Sequence, residues 1–181
     1  MSLGPVNDHQ QLFERLVNEG LPDGNVAEFG VYNGGSTRQL AALCPNRVVW
    51  AFDTYEGIPP LDYQEALDFQ NPPGKFIPHK RVEDLFEGFP NIVPVRGRFV
   101  ETLSYFSDPV ALVYVDCDLY ESYRQVLGAL PRFAVDGAKV VLDDYGNVEG
   151  ATKATDEWLL TQPQLTLVRA DKLFVWHPQQ P

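Results

Sequence analysis

Short apolar runs of strand length alternate along this chain with stretches of helical period, and this alternation constrains the fold more than any other feature. Helices are predicted at 36–43, 81–87, 120–133 and 151–160. Strands are predicted at 25–30, 47–53, 91–97, 111–118, 138–145, 166–170 and 172–177. Strands that alternate with helices indicate βαβ units, so we expect a mostly parallel sheet.

The apolar runs also indicate a sheet that is covered by helices on both faces. VVWAF (48–52) and AKVVL (138–142) are continuous apolar stretches, as in strands that are buried on both sides. The runs 166–170 and 172–177 are too close for a crossover helix, so they should form an antiparallel hairpin. The sequence therefore predicts one α/β domain over 1–181, with a Rossmann-like sheet of seven strands that ends in an edge hairpin.

The balance of charge limits the partners that this chain can bind. There are 14 Lys and Arg against 25 Asp and Glu, a formal net charge of -11, so a nucleic acid partner is not expected. No run of 18 apolar residues occurs, and the opening MSLGPVNDHQ lacks the basic and apolar regions of a signal peptide. We expect a cytoplasmic protein with no membrane partner, and the sequence leaves a homo-oligomer open.

The segment VAEFGVYNGGSTRQL has the pattern of a nucleotide-binding turn between a buried strand and a helix. Ligands of open α/β sheets bind beyond the carboxyl ends of the strands, which is where this turn lies. Gly30, Gly34 and Gly35 allow close approach of a ligand to the backbone, and Ser36 or Asn33 is predicted to cap the following helix.

The turn favours S-adenosylmethionine over a dinucleotide. Tyr32 stands where the dinucleotide fingerprint requires a glycine, so its side chain would obstruct a pyrophosphate. Glu28 suits a cationic ammonium group, directly or through water. Asp53, at the end of the second strand, is placed to accept the two ribose hydroxyls. Gly97 and Phe99 follow the third strand and are predicted to line the adenine, although a buried Phe is also ordinary core.

Four carboxylates follow two strands that are predicted to be neighbours. Asp116 and Asp118 end the fourth strand, and Asp143 and Asp144 end the fifth. Crowded like charges need a cation or shared protons, and oxygen ligands favour Mg²⁺, with Ca²⁺ or Mn²⁺ as options. Asp116 is also expected to border the cofactor.

Each of these aspartates has an alternative structural explanation. Asp118 followed by Glu121 fits a helix N-cap with its capping-box partner, and Asp143 with Asp144 fits an Asx-type turn.

A segment rich in proline and glycine separates the second strand from the next helix. From about 55 to 80 it contains Gly57, Pro59, Pro60, Pro72, Pro73, Gly74 and Pro78. A long irregular segment in a compact domain is usually functional, so we expect a lid over the binding cleft, with a surface excursion as the alternative.

Six stretches of the chain resemble the TylF/MycF family of sugar O-methyltransferases, and they occur in the same order. They are VAEFGVYNGGST, AFDTYEGIP, VRGRFVETL, VDCDLYESY, VLDDYG and GATKATDEW. The resemblance implies a class I methyltransferase fold that uses S-adenosylmethionine and Mg²⁺. Carried over by position, it implies Asp116, Asp143 and Asp144 as metal ligands and Asp118 as the general base.

The resemblance leaves the methyl acceptor open. Family members usually have a longer N-terminal helical region that helps to cover the acceptor, whereas about 24 residues precede the first strand here. A sugar-bearing natural product is the first expectation, and a smaller polyol or catechol-like diol is the second. Two other functions are a non-catalytic module that binds adenosylmethionine or metal, and an NAD-type oxidoreductase, which Tyr32 disfavours.

Overall fold

The computed structural model describes residues 9–59, 73–168 and 172–178. The strands of this part are β1 (Asn25–Phe29), β2 (Val49–Asp53), β3 (Ile92–Arg96), β4 (Val110–Val115), β5 (Ala134–Leu142) and β6 (Leu173–Val175). The helices are α1 (His9–Asn18), α2 (Gly35–Leu43), α3 (Val82–Leu85), α4 (Phe99–Thr102), α5 (Tyr120–Phe133) and α6 (Glu149–Leu160).

The strands form one sheet in the order β3-β2-β1-β4-β5-β6. Strand β1 lies parallel to β2 and β4, and Glu28 is aligned between Ala51 and Tyr114. The β2–β3 and β4–β5 pairs are also parallel, whereas β6 runs antiparallel to β5. The chain builds one side of the sheet from β1 to β3 and the other side from β4 onward. The order therefore reverses between β1 and β4, where sheets of this kind bind ligands.

This architecture confirms the predicted mostly parallel α/β sheet with an antiparallel pair at its C-terminal edge. The predicted number of seven strands is not confirmed, because the described residues form a sheet of six strands. The run predicted at 166–170 contributes an antiparallel bridge between Val168 and Leu173, and residues 169–171 lie outside the described part. Strand β6 instead pairs with β5, which would otherwise expose an edge of unsatisfied backbone groups.

Helices cover both faces of the sheet, so the side chains of β1, which point alternately to opposite sides, are buried in two separate cores. Val26 belongs to a core that contains Phe13 of α1 and Leu40 of α2. Phe29 belongs to a second core, which contains Tyr123 of α5. Burial of an aromatic side chain such as Phe13, which is fully inaccessible, stabilises the fold by about 1.5 to 3 kcal/mol.

Helix α1 was not among the predicted helices, and its burial explains why it forms. Leu12, Phe13 and Leu16 are buried and lie on one face of the helix. This spacing is typical of an amphipathic helix that packs on a core. Within the described ranges, no helix has the length and apolar character needed to cross a membrane.

Candidate active site

A cavity of about 360 Å³ opens at the carboxyl ends of β1, β2 and β4, at the reversal of strand order. Seven of the predicted site residues line it: Gly30, Tyr32, Asp53, Gly97, Phe99, Asp116 and Asp118. The other five predicted residues do not line it: Glu28, Gly34, Ser36, Asp143 and Asp144. The sheet topology therefore brings the predicted nucleotide turn and part of the acidic cluster to one cavity.

Gly30 is required here by a close approach of the protein backbone to itself. Its φ is 92°, and a Cβ atom at this position would lie 1.8 Å from the carbonyl oxygen of Asp116. Any larger residue would push the ends of β1 and β4 apart. Glycine is therefore required at position 30 by the close contact between the ends of these two strands, whether or not a ligand also approaches the backbone there.

The Asp53 carboxylate holds the turn that follows β1. Its Oδ2 accepts hydrogen bonds from the backbone N–H groups of Val31, at 2.8 Å, and Tyr32, at 3.1 Å. Its Oδ1 accepts one from the N–H of Tyr55, at 2.8 Å. Asp53 therefore shapes the cavity wall, and contact with a ribose stays a prediction for this residue.

Glu28 lies behind the turn and not in the cavity. Its side chain is fully inaccessible, and its Oε1 accepts a hydrogen bond from the Ser36 hydroxyl. Burial raises the pKa of Glu28 from 4.5 to about 7. This arrangement does not favour a direct contact of Glu28 with an ammonium group, and a contact through water stays a prediction.

The predicted caps of α2 are wrong. Gly34, with φ 67°, occupies the N-cap position and no side chain makes a capping hydrogen bond in the described structure. The Ser36 hydroxyl is engaged by Glu28, and Asn33 Oδ1 accepts the backbone N–H of His79, at 2.9 Å. A Cβ on Gly34 would lie 2.6 Å from Phe86, which explains the glycine.

The buried Glu28 makes one contribution to the pH dependence of this protein's stability, and Glu28→Gln should remove that contribution. Between pH 4.5 and about 7 the unfolded chain releases the Glu28 proton while the folded chain retains it. Stability should therefore fall as pH rises through this window, by up to ~1.4 kcal/mol per unit. Melting curves from pH 5 to 8 should show Glu28→Gln gaining on the wild type as pH rises. The exposed Glu87→Gln is the control, and a constant difference between Glu28→Gln and the wild type would contradict the expectation.

Three of the four predicted acidic residues converge beside the cavity. Asp116, Asp143 and Asp144 each offer a carboxylate oxygen, and these oxygens lie within 4.8 Å of one another. Burial, then the charges of Asp144 and Asp143, raise the pKa of Asp116 to about 8. Burial also raises the pKa of Asp144. Carboxylates at this distance repel one another unless they share protons or bind a cation.

Asp118 stands next to this trio but takes a different position. It has φ 60°, lines the cavity, and donates its backbone N–H to Asp144 Oδ2, at 2.9 Å. Burial, then the charges of Asp144 and Asp143, raise its pKa to about 7. The capping alternative is wrong, since Leu119 is the N-cap of α5 and makes no side-chain cap. Glu121 instead bonds to Arg124.

Two residues to which the sequence analysis gave no role support the acidic group. The Tyr123 hydroxyl donates to the Val115 carbonyl, at 3.0 Å, and accepts the backbone N–H of Asp144, at 3.1 Å. Lys172 Nζ donates to the backbone carbonyl of Asp143. Tyr123 lies in α5, at the end of the VDCDLYESY stretch, and Lys172 directly precedes β6, where no local motif marks it.

The two ends of the predicted lid are attached to the cavity rim. Residues 60–72 of that segment lie outside the described part of the chain. On its flanks, Ile58 exchanges backbone hydrogen bonds with Gly74 and Lys75, each at 2.8 Å. The hydroxyl of Tyr32 lies 3.2 Å from His79 Nε2. The predicted closure over a ligand stays a prediction.

Comparison with known proteins gives one family match. The sequence model of a family described as macrocin-O-methyltransferase (TylF) matches residues 5–177. Among curated proteins, the 8-demethyl-8-(2,3-dimethoxy-alpha-L-rhamnosyl)-tetracenomycin-C 4'-O-methyltransferase of Streptomyces olivaceus is 28% identical over 167 residues, which cover 80% of this chain and 61% of that protein. The demethyldecarbamoylnovobiocin O-methyltransferase of Streptomyces niveus is 29% identical over 168 residues, which cover 82% and 63%.

A solved structure has the same architecture. The calicheamicin methyltransferase CalS11 superposes with a TM-score of 0.73 and 25% identity, over 92% of this chain and 76% of that one. The chain spans less than two thirds of the length of either curated relative, at 61% and 63%.

Proposed function

The chain belongs to the macrocin-O-methyltransferase (TylF) family, an enzyme family, and from this membership we propose that it transfers a methyl group from S-adenosylmethionine to a hydroxyl of a small molecule. One observation supports this most: the cavity is lined by Asp116, which belongs to the acidic group, and by Asp118, whose backbone N–H donates to Asp144 of that group. A cofactor in the cavity and an acceptor at the carboxylates would then meet at these two residues. We also propose that residues 1–181 form one methyltransferase domain.

The acidic group fits a hard divalent ion. Asp116, Asp143 and Asp144 supply only oxygen ligands, which Mg²⁺ prefers, and their spacing within 4.8 Å allows one ion to contact all three. Burial, then the repulsion by Asp144 and Asp143, raises the pKa of Asp116, and a cation would offset both effects. When bound, such an ion would lower the pKa of an acceptor hydroxyl and orient it.

We assign Asp118 as the general base, because its side chain does not cap α5 and the residue lines the cavity. S-adenosylmethionine supplies an electrophilic methyl group on a sulfonium. The acceptor oxygen bonds to the methyl carbon as the carbon–sulfur bond breaks, and Asp118 takes the hydroxyl proton. The products are a methyl ether, adenosylhomocysteine and a protonated Asp118.

The acceptor is proposed to be a hydroxyl of a sugar carried by a natural product. The Streptomyces olivaceus relative is named as a 4'-O-methyltransferase of a rhamnosyl-tetracenomycin, and the Streptomyces niveus relative as a demethyldecarbamoylnovobiocin O-methyltransferase. CalS11 is named as a calicheamicin methyltransferase. A smaller polyol or catechol-like diol is the alternative, because it offers two neighbouring hydroxyl oxygens, as a sugar does. The net charge of -11 argues against a nucleic acid acceptor.

Adenosylhomocysteine should raise the melting temperature of this protein, and NAD or NADP should not. A ligand that binds only the folded state stabilises it in proportion to the logarithm of its concentration. Tyr32, which lines the cavity, would obstruct a pyrophosphate. Differential scanning fluorimetry with each nucleotide, with adenosine as the control, tests this. Stabilisation by NAD alone would contradict the proposal and favour an oxidoreductase, whereas binding without methyl transfer to any acceptor would indicate a non-catalytic module.

A further inference from the structure

The side chain of Tyr114 contacts the acidic group from the interior of the protein. Tyr114 lies in β4 and Asp116 directly follows this strand, two positions later, so the two side chains lie on the same face of the sheet. Tyr114 is fully inaccessible, and its hydroxyl donates a hydrogen bond to Asp116 Oδ2, at 3.3 Å.

Helix α1 brings a second group to the same carboxylates. The ring of Phe13 packs edge-on against Tyr114, with centroids 4.9 Å apart. His9 lies one turn earlier on the same helix face, with its ring centroid 6.4 Å from that of Tyr114. From there His9 Nδ1 lies 3.8 Å from Asp143 Oδ1. The column of His9, Phe13 and Tyr114 therefore reaches two of the three carboxylates.

We propose that Tyr114 and His9 are positioning residues that orient the Asp116 and Asp143 carboxylates for a divalent ion, an inference that rests on the metal role proposed above. Carboxylates that repel one another turn apart unless outer groups hold them, and such outer partners set metal affinity. The Tyr114 hydroxyl holds Asp116 through its hydrogen bond to Oδ2, and His9 of α1 lies beside Oδ1 of Asp143. Through these contacts the packing of α1 contributes to the affinity for the metal ion.

The test compares Mn²⁺ binding by the full chain, measured by calorimetry and by electron paramagnetic resonance. Tyr114→Phe removes only the hydroxyl and keeps the ring that packs on Phe13. Its matched control is Tyr55→Phe, which removes another buried hydroxyl, one that donates to the Ala51 carbonyl at 2.8 Å. We expect Tyr114→Phe to bind Mn²⁺ about 10- to 100-fold more weakly, and Tyr55→Phe to bind it as the wild type does.

A purely structural role for Tyr114 predicts a different result, because both variants would then lower the melting temperature and neither would change Mn²⁺ affinity. That outcome would overturn the inference and leave the proposed function intact. His9→Gln, at a half-exposed position, is the second variant should Tyr114→Phe fail to fold, and it should also weaken Mn²⁺ binding; unchanged affinity would overturn the inference in the same way. A wild-type protein that binds no Mn²⁺ would instead overturn the proposed metal role itself.

Discussion

Asp118→Asn should lower the rate of methyl transfer by a factor of about 10² to 10⁴, which is the usual contribution of general-base catalysis. The amide cannot take the proton that the acceptor hydroxyl releases. Binding should persist, because Asn keeps the shape of the side chain and the backbone N–H that donates to Asp144 Oδ2. The measurement is a single-turnover rate, together with calorimetric affinities for adenosylhomocysteine and Mg²⁺.

Asp108→Asn is the matched control for this variant. Asp108 is exposed in the segment before β4 and lies outside the cavity lining, so its replacement makes the same chemical change away from the site. A rate for Asp118→Asn equal to that of Asp108→Asn would remove Asp118 from the chemistry. A loss of Mg²⁺ binding in Asp118→Asn would place this residue among the metal ligands instead.

Asp144→Asn should abolish most of the activity at low Mg²⁺ and recover part of it at high Mg²⁺. The amide oxygen remains a ligand but has lost its charge, so the affinity of the trio for a cation falls. The same oxygen can still accept the N–H of Asp118, which keeps the local backbone in place. The measurement is a titration of the methyl-transfer rate with Mg²⁺ for the wild type and the variant.

The comparison of the two variants separates the two roles. Excess Mg²⁺ should not rescue Asp118→Asn, because added metal cannot replace a base. A titration in which Asp144→Asn and the wild type reach half-maximal rate at the same Mg²⁺ concentration would show that Asp144 does not hold the ion.

Much of the site follows from patterns that are local in the sequence. Helix α5 runs over Tyr120–Phe133, the bounds that its apolar period predicts. The carboxylates meet because parallel neighbouring strands end at the same edge of the sheet, so Asp116 and the pair Asp143 and Asp144 come together once β4 and β5 pair. A strand pattern and a short motif carry that information.

The roles of Glu28, Asp53 and Tyr114 could not be predicted because they depend on contacts between distant segments. Glu28 lies within β1, and the hydroxyl of Ser36 in α2 donates a hydrogen bond to its Oε1. Asp53 meets the Val31 amide only because β1 and β2 end side by side. Tyr114 resembles any apolar residue of a buried strand until Asp116 and α1 are placed around it.

The most direct test of the account is labelled methyl transfer by wild-type protein with and without metal. Acceptors are first screened among glycosylated and diol compounds in the presence of Mg²⁺, with S-adenosylmethionine that carries a trideuteromethyl group. The protein is then treated with EDTA, dialysed and checked by elemental analysis. We predict that mass spectrometry finds the labelled methyl on an acceptor hydroxyl only after a divalent ion is restored. Equal labelling by protein that elemental analysis shows to be metal-free would contradict the account.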